Sequence, residues 1–347
     1  MLDTLRSVLQ FRRFELDPVK RHLARAANVD DLRRLAKRRT PRGVFDYIDG
    51  GAEDERTMRA NVDAYSDYSF RPRVLRDVSD VDPSTVILGQ ATPLPLILAP
   101  TGFTRIADPA GELAVARSAA RAGLPYTLST LSTRSIEEVA AASGGGRRWF
   151  QVYVLRDREL TGELARRAAE SGYRALVLTG DTPVLGRKER DARNGFRIPE
   201  DHARGNLRGG LRHAPESAQD PGASLDDIGW LHELSGLPVL VKGVLRADDA
   251  RRCIEAGAAG LIVSNHGGRQ LDGAVSTAEA LPEVVAAAAA EVPVLVDGGI
   301  DSGADVGRAL TCGADAVLIG RLAAWALAAG GAEAVTELLQ RLCEELP

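Results

Sequence analysis

The chain has 347 residues, a formal net charge of -4, five histidines and three cysteines, which is enough length for two ordinary domains or one large α/β barrel. A mildly acidic balance without any long uninterrupted apolar run argues against nucleic-acid binding and against a membrane span. Met1 to Arg13 carries charges throughout and lacks the apolar centre of a secretory signal, and Cys253, Cys312 and Cys343 are odd in number and far apart. Reduced thiols and a cytoplasmic location are therefore expected.

In chain order, the first forty or so residues are basic and helical in pattern, with Asp30 and Asp31 opening a helix toward Arg39. The arginines of that helix form a solvated face or touch anionic lipid, so peripheral membrane contact stays open. A second helix is expected to end in glycine within Phe45-Asp46-Tyr47-Ile48-Asp49-Gly50-Gly51-Ala52-Glu53-Asp54. From Pro95 onward, short apolar runs alternate with helical patterns. The expected strands are 94–99, 124–129, 149–154, 175–179, 238–241, 260–264, 293–296 and 316–319. Gly123, Gly172, Gly257 and Gly313 follow helical patterns as C-terminal caps.

Eight strand–helix units in succession predict an α/β fold, a (β/α)8 TIM barrel at 91–347 preceded by an N-terminal helical extension at 1–90. The connection after the fourth strand, about 182–228, breaks the rhythm. A long Arg-, Gly-, Asp- and Pro-rich stretch over a barrel mouth is either a lid or, over Pro199 to Ala223, a mobile surface insertion.

Active groups of such barrels sit at the C-terminal ends of the strands. Those ends read Pro100-Thr101-Gly102, Ser129, Gln151 with Tyr153, Thr179 with Asp181, Lys242, Ser264-Asn265-His266-Gly267-Gly268-Arg269, Asp297-Gly298-Gly299 and Gly320-Arg321. A ring of polar groups suits a large polar cofactor. The last two ends lie after strands seven and eight, a common phosphate position in barrels. The histidine emerges between a buried strand and a glycine turn, beside an arginine whose planar fork matches a carboxylate. Lys242 either faces developing negative charge or pairs with a neighbouring carboxylate. No His, Cys and carboxylate cluster has metal-ligand spacing, and neither a dinucleotide fingerprint nor a P-loop falls in a strand-to-helix turn.

These residues, together with Tyr47, Gln151-Val152-Tyr153 and Thr179-Gly180-Asp181-Thr182-Pro183, resemble the FMN-dependent α-hydroxy-acid dehydrogenase and oxidase family from about Asn28 to Leu342. The resemblance implies an FMN-binding (β/α)8 barrel that oxidises an L-2-hydroxy acid. It makes His266 the base, Asp181 the carboxylate that holds it, and Tyr47, Tyr153, Lys188 and Arg269 the substrate-binding groups, Tyr153 also serving catalysis. The cofactor wall it implies is Pro100, Thr101, Gly102, Ser129, Gln151, Thr179, Lys242, Ser264, Asp297, Gly298, Gly299, Gly320 and Arg321. It also implies a homotetramer.

Three departures stand out. Lys188 occupies a position where the family usually has a second substrate arginine, and lysine keeps the charge but loses the fork. Asp301 stands where an arginine often meets the phosphate, so its carboxylate is expected to point away. The chain also stops at Pro347, earlier than some relatives, and the loop after strand four lacks an apolar membrane-binding stretch.

Gly102 stands where oxidases commonly carry alanine, which favours a dehydrogenase passing electrons to a quinone or other acceptor. An oxidase using O2 and a flavin barrel with lost or weak catalysis are the alternatives. Another FMN-barrel chemistry, isomerisation of an isoprenoid diphosphate, fits His266 and Arg269 less well. Leu131 near the mouth, where glycolate oxidase has a bulky aromatic, favours longer or aromatic side chains.

Overall fold

The computed structural model describes residues 15–202, 205–207 and 219–346. Helices α1 (Pro18–Leu23), α2 (Val29–Arg39), α3 (Arg42–Asp49) and α4 (Arg56–Ser66) precede the sheet. Asn28 caps α2 by accepting from the Asp31 amide, and its acidic first turn and basic last turn match the helix dipole. The helix at Tyr47 ends at Gly50 as expected, although Gly50 is extended there (φ -75°).

An antiparallel hairpin follows, β1 (Thr85–Ile87) and β2 (Gln90–Thr92). It is not among the expected elements. Its signal is only Gly89 after Leu88, both with positive φ (72° and 50°), as a two-residue hairpin turn requires. Ile87 packs with the residues inside the barrel, so the hairpin plugs it.

The barrel consists of β3 (Leu96–Leu98), β4 (Tyr126–Leu128), β5 (Arg148–Val152), β6 (Leu176–Thr179), β7 (Val239–Val244), β8 (Gly260–Val263), β9 (Val294–Asp297) and β10 (Ala316–Ile319). All neighbours are parallel, and β10 closes onto β3. The helices between them are α5 (Glu112–Arg121), α6 (Ile136–Ser143), α7 (Arg158–Glu170), α8 (Glu189–Asn194), α9 (Asp226–Ser235), α10 (Ala247–Glu255), α11 (Thr277–Ala288) and α12 (Gly303–Thr311), with α13 (Arg321–Glu344) last. Alternation along each strand divides the core. Ile97, Trp149, Val177, Leu240, Ile262, Leu295 and Leu318 fill the barrel, while Leu96, Leu98, Val239, Val241, Leu261 and Val263 join the layer under the helices. The four expected glycine caps all take positive φ, between 68° at Gly123 and 101° at Gly313.

By length and composition α13 alone among the described helices is apolar enough to cross a membrane, yet 67% of its apolar window is buried. Gly330 and Gly331 also break its helical geometry. It is a core helix packed against α2 and α5. The stretch after β6 is described in part: α8, a 3-10 turn at Glu200–His202, and a bridge between Leu155 and Gln219. The rest of the expected lid or insertion, 203–204 and 208–218, lies outside the described residues.

Candidate active site

A cavity of about 630 Å3 opens at the C-terminal ends of the strands. His266, Arg269, Lys188, Tyr47, Tyr153 and Leu131 line one part of it. Pro100, Thr101, Gly102, Ser129, Lys242, Asp297, Gly298, Gly299, Gly320 and Arg321 line the remainder. Fifteen of the residues singled out in the sequence thus share one space with Leu131.

His266 leaves β8 in a left-handed conformation (φ 60°), and Gly267 and Gly268 continue it (φ 62° and 74°). Positive φ at a non-glycine residue costs free energy, so surrounding contacts must hold the turn. Asn265 supplies several of them: it accepts from the Gly268 amide at 3.1 Å and exchanges two hydrogen bonds with Asn61 of α4, at 2.8 and 2.7 Å. A Cβ on Gly268 would approach the Met58 amide to 2.5 Å, so only glycine lets α4 sit this close.

The His266 ring meets Asp181 through Nδ1, 3.0 Å from Oδ1. A carboxylate at Nδ1 fixes that nitrogen as donor and leaves Nε2 able to accept a proton. Burial pushes the Asp181 carboxyl up, but the charges of His266 and Lys242 and the hydrogen bond from His266 outweigh it, and the net shift is downward. Asp181 therefore stays ionised beside the imidazole. Tyr153 behaves oppositely, because burial and the Asp181 charge raise its phenol well above the usual range and keep it neutral.

Lys242 reaches Ser264 Oγ at 2.7 Å and Asp297 Oδ2 at 3.0 Å, while Ser264 donates to Asp297 Oδ1 at 2.6 Å and accepts from the His266 amide at 3.1 Å. Burial pulls the Lys242 pKa down, yet Asp297 and Asp181 overcome it and the net direction is up. Both readings of Lys242 hold together: it pairs with a carboxylate and presents its charge to the cavity.

Ser264, Gln151 and Thr179 sit behind the wall, which differs from their expected place on it. The Gln151 carboxamide accepts from Ser129 Oγ and the Thr130 amide at 3.2 and 3.1 Å and donates to Thr179 Oγ1 at 3.0 Å. Its polar atoms are engaged by protein, and Thr179 lines a second cavity that shares Tyr153 and Lys242 with the first. Asp181 likewise stands behind His266. Asp301 corrects another expectation. It lines the cavity instead of pointing away, and burial together with Asp305 pushes its carboxyl up to about 6. Gly298 and Gly299 line the cavity, but their conformations answer to α4, because a Cβ on Gly299 would lie 2.0 Å from the Asn61 carbonyl oxygen.

The C-terminal carbonyls of α3 hold both arginines. Arg269 Nη1 donates to Tyr47 O at 2.9 Å and Gly50 O at 2.7 Å, and Arg321 donates to Ile48 O, Gly50 O and Gly267 O at 3.3, 3.2 and 3.0 Å. Burial and the nearby Arg269 charge pull Arg321 down to about 10. Lys188 Nζ and the Arg269 guanidinium stand 5.1 and 5.3 Å from the centre of the Tyr47 ring. The sequence indicated both Tyr47 and the helix end at Gly50, but not that the carbonyls of that end, a negative pole, face two cations.

The same wall tests the fit of a phosphorylated flavin. Arg321 is a half-buried guanidinium bonded to carbonyl oxygens at the N-terminus of α13, where an anion is favoured by charge and by the helix dipole. Gly320 beside it leaves room, since a Cβ there would find only Ala99 and Thr101 at 3.5 and 3.7 Å. The residues fit the group. When bound, FMN supplies a two-electron acceptor; Arg321 and the first turn of α13 would hold its phosphate, and Lys242 would face the ring.

A closed parallel barrel with a basic phosphate corner on one side of its mouth and a histidine–arginine pair on the other defines a flavin-dependent oxidoreductase acting on a small anion. A family model described as FMN-dependent dehydrogenase matches residues 36–347, and the chain belongs to that family. It is 46% identical over 335 residues to an L-lactate oxidase of Nostoc sp., covering 92% of each chain. It is 44% identical over 330 residues to a glycolate oxidase of Spinacia oleracea, covering 92% of this chain and 89% of the relative. Among solved structures, mandelate oxidase superposes with a TM-score of 0.87 at 45% identity over 92% of each chain. The protein is accordingly an FMN-dependent enzyme that oxidises the CH-OH group of a 2-hydroxy acid.

Proposed function

We propose that the chain oxidises an L-2-hydroxy acid of lactate to mandelate size, with dioxygen as electron acceptor: hydroxy acid plus O2 gives oxo acid plus hydrogen peroxide. The observation that carries the substrate class is the placement of the Asp181-bound imidazole of His266 in one cavity with Arg269, Lys188 and Tyr47. In this reading Arg269 and Lys188 hold the carboxylate, Tyr47 and Tyr153 orient carboxylate and hydroxyl, and His266 Nε2 takes the hydroxyl proton. Leu131 on the wall leaves an apolar surface for the side chain. Dioxygen is favoured by the relatives, which carry the names of oxidases.

One observation favours a dehydrogenase with a quinone or other acceptor instead. Gly102 packs against Leu131, where an added Cβ would stand 3.1 Å from the Leu131 Cβ. The wall beside the reacting centre therefore differs from that expected of an oxidase with alanine there. Anaerobic bleaching of the yellow protein with lactate, mandelate and glycolate, followed by air, separates the readings. Rapid return of colour with stoichiometric peroxide supports the oxidase, whereas slow return that a quinone accelerates supports the dehydrogenase. No bleaching by any of the three would favour the barrel with lost or weak catalysis. A cytoplasmic homotetramer completes the proposal, supported on the first count by three unbridged cysteines and testable on the second by light scattering.

A further inference from the structure

The phosphate corner of the cavity contains a group from outside the barrel. Arg33, on α2 of the N-terminal extension, lines the same cavity as Arg321 and Asp301. Its guanidinium lies 5.4 Å from the centre of the Trp325 ring, and Trp325 is one turn beyond Arg321 on α13. Asp49 fixes it there, accepting from Nε at 2.6 Å and from Nη2 at 3.0 Å. Asp49 stands between Ile48 and Gly50, whose carbonyls accept from Arg321. Three consecutive residues thus tether both guanidinium groups to one end of the cavity.

The remaining nitrogen of Arg33 is the informative one. Nη1 has a carboxylate, Asp30, only at 3.8 Å, which is beyond hydrogen-bond length. Asp49 is also shared: it accepts from Arg190 Nη1 at 2.9 Å, so its single negative charge faces two cations. Arg190 is held by Glu55 as well, so the case for an anion at this corner rests on Arg321 and on the free edge of Arg33, both lining the cavity. Asp301 enters the same corner from the barrel side and brings a carboxylate there.

Resting on the reading that the FMN phosphate lies at Arg321, we propose that Arg33 supplies the second guanidinium of the phosphate site, so that the N-terminal extension provides a charge the barrel loop at Asp301 lacks. Two consequences follow. Cofactor affinity depends on α2, outside the barrel. Cofactor binding also pins α2 against α13, through the bond the phosphate makes to Arg33.

The test compares FMN with riboflavin, which lacks the phosphate, binding to apoprotein by quenching of flavin fluorescence. Arg33→Gln is expected to weaken FMN by about 10- to 100-fold, as for loss of a charge-assisted hydrogen bond, and to leave riboflavin unchanged. The double variant Arg33→Gln with Asp301→Arg is expected to recover most of the lost FMN affinity. Unchanged FMN affinity in Arg33→Gln, or equal weakening of both flavins, overturns the assignment. Should Arg33→Gln fail to fold because Asp49 loses a partner, Arg33→Lys keeps the charge without the fork; it must weaken FMN and spare riboflavin, and any other pattern rejects the proposal. If the wild type binds FMN no better than riboflavin, the phosphate reading at Arg321 itself fails, a result distinct from failure at Arg33 alone.

Discussion

Arg269 and Arg321 converge on a single carbonyl oxygen, that of Gly50, at 2.7 and 3.2 Å. One guanidinium stands beside Tyr47 and the other at the start of α13, so the C-terminus of α3 sets the position of both. A Cβ at Gly50 would meet the Asp46 carbonyl oxygen at 2.7 Å and Arg190 Cδ at 3.2 Å, and the backbone must shift to admit it. Gly50→Ala is therefore expected to raise KM for the hydroxy acid and Kd for FMN together, by about tenfold each, because small displacements of positioning groups are costly. Steady-state kinetics at saturating FMN and a flavin titration read the two effects. A change in one without the other would mean that the arginines are held independently.

The contact between His266 and Asp181 leads to a prediction separable from cofactor binding. His266→Gln removes the proton acceptor and is expected to lower kcat by about 10²–10⁴ with FMN affinity unchanged. Asp181→Asn keeps the shape and loses the charge, and should lower kcat by a fraction of that effect. The Asp181 carboxyl is held below its ordinary pKa, so its contribution to stability is complete above the unfolded value and disappears as pH falls through the lower folded one. Wild type and Asp181→Asn should accordingly differ in thermal midpoint at neutral pH, and the difference should begin to shrink only as pH falls below about 4. A constant difference at all pH values would show that the charge of Asp181 is not what stabilises the fold.

The barrel was legible because its strands are short apolar runs that alternate with helical patterns, four of which run into the expected glycine caps. His266, Arg269, Lys242 and Arg321 could be placed for the same reason, since a parallel barrel brings all strand ends to one mouth. What sequence could not supply was contact between distant segments. Nothing in the pattern around Asp49 announces that its carboxylate bridges Arg33 and Arg190, or that α3 ends against two arginines more than two hundred residues away. The hairpin at Leu88-Gly89 was too short to give a period, and α13 is apolar on nearly all sides, so it shows no amphipathic stripe. Asp301 was misplaced because repulsion from a phosphate was weighed without the cations, Arg33 and Arg321, that surround it.

Lys242 and Asp297 form a buried pair, 3% and 7% exposed, tied together by Ser264. Removing one partner leaves a charge without compensation in a dry site, a loss of about 3–5 kcal/mol. Lys242→Met is expected to lower the thermal midpoint of the apoprotein markedly, and adding Asp297→Asn should restore part of it. Holoenzyme activity should stay low in both variants, since neither presents a cation to the flavin. Recovery of activity along with stability would remove Lys242 from the chemistry and leave it a structural role.

Asp301 provides the pH prediction with the opposite sign. Its carboxyl is raised to about 6 by burial and by Asp305, against the lowering influence of Arg321 and Arg33 and with a further small rise from Asp30. A raised carboxyl binds its proton more tightly in the folded state than in the unfolded one. Its cost is therefore fully present above the folded pKa and is relieved as pH falls from about 6 toward about 4. Asp301→Asn removes that cost, and the apoprotein should gain about 3 kcal/mol at pH 7.5, with the gain shrinking to nearly nothing at pH 4. Chemical denaturation of wild type and variant across this range measures the difference. A gain that is constant with pH, or a loss at pH 7.5, would show that Asp301 is held as a carboxylate by its arginines and carries no strain. The same variant should bind FMN more tightly at pH 7.5 than wild type does, because an amide beside the phosphate does not repel it.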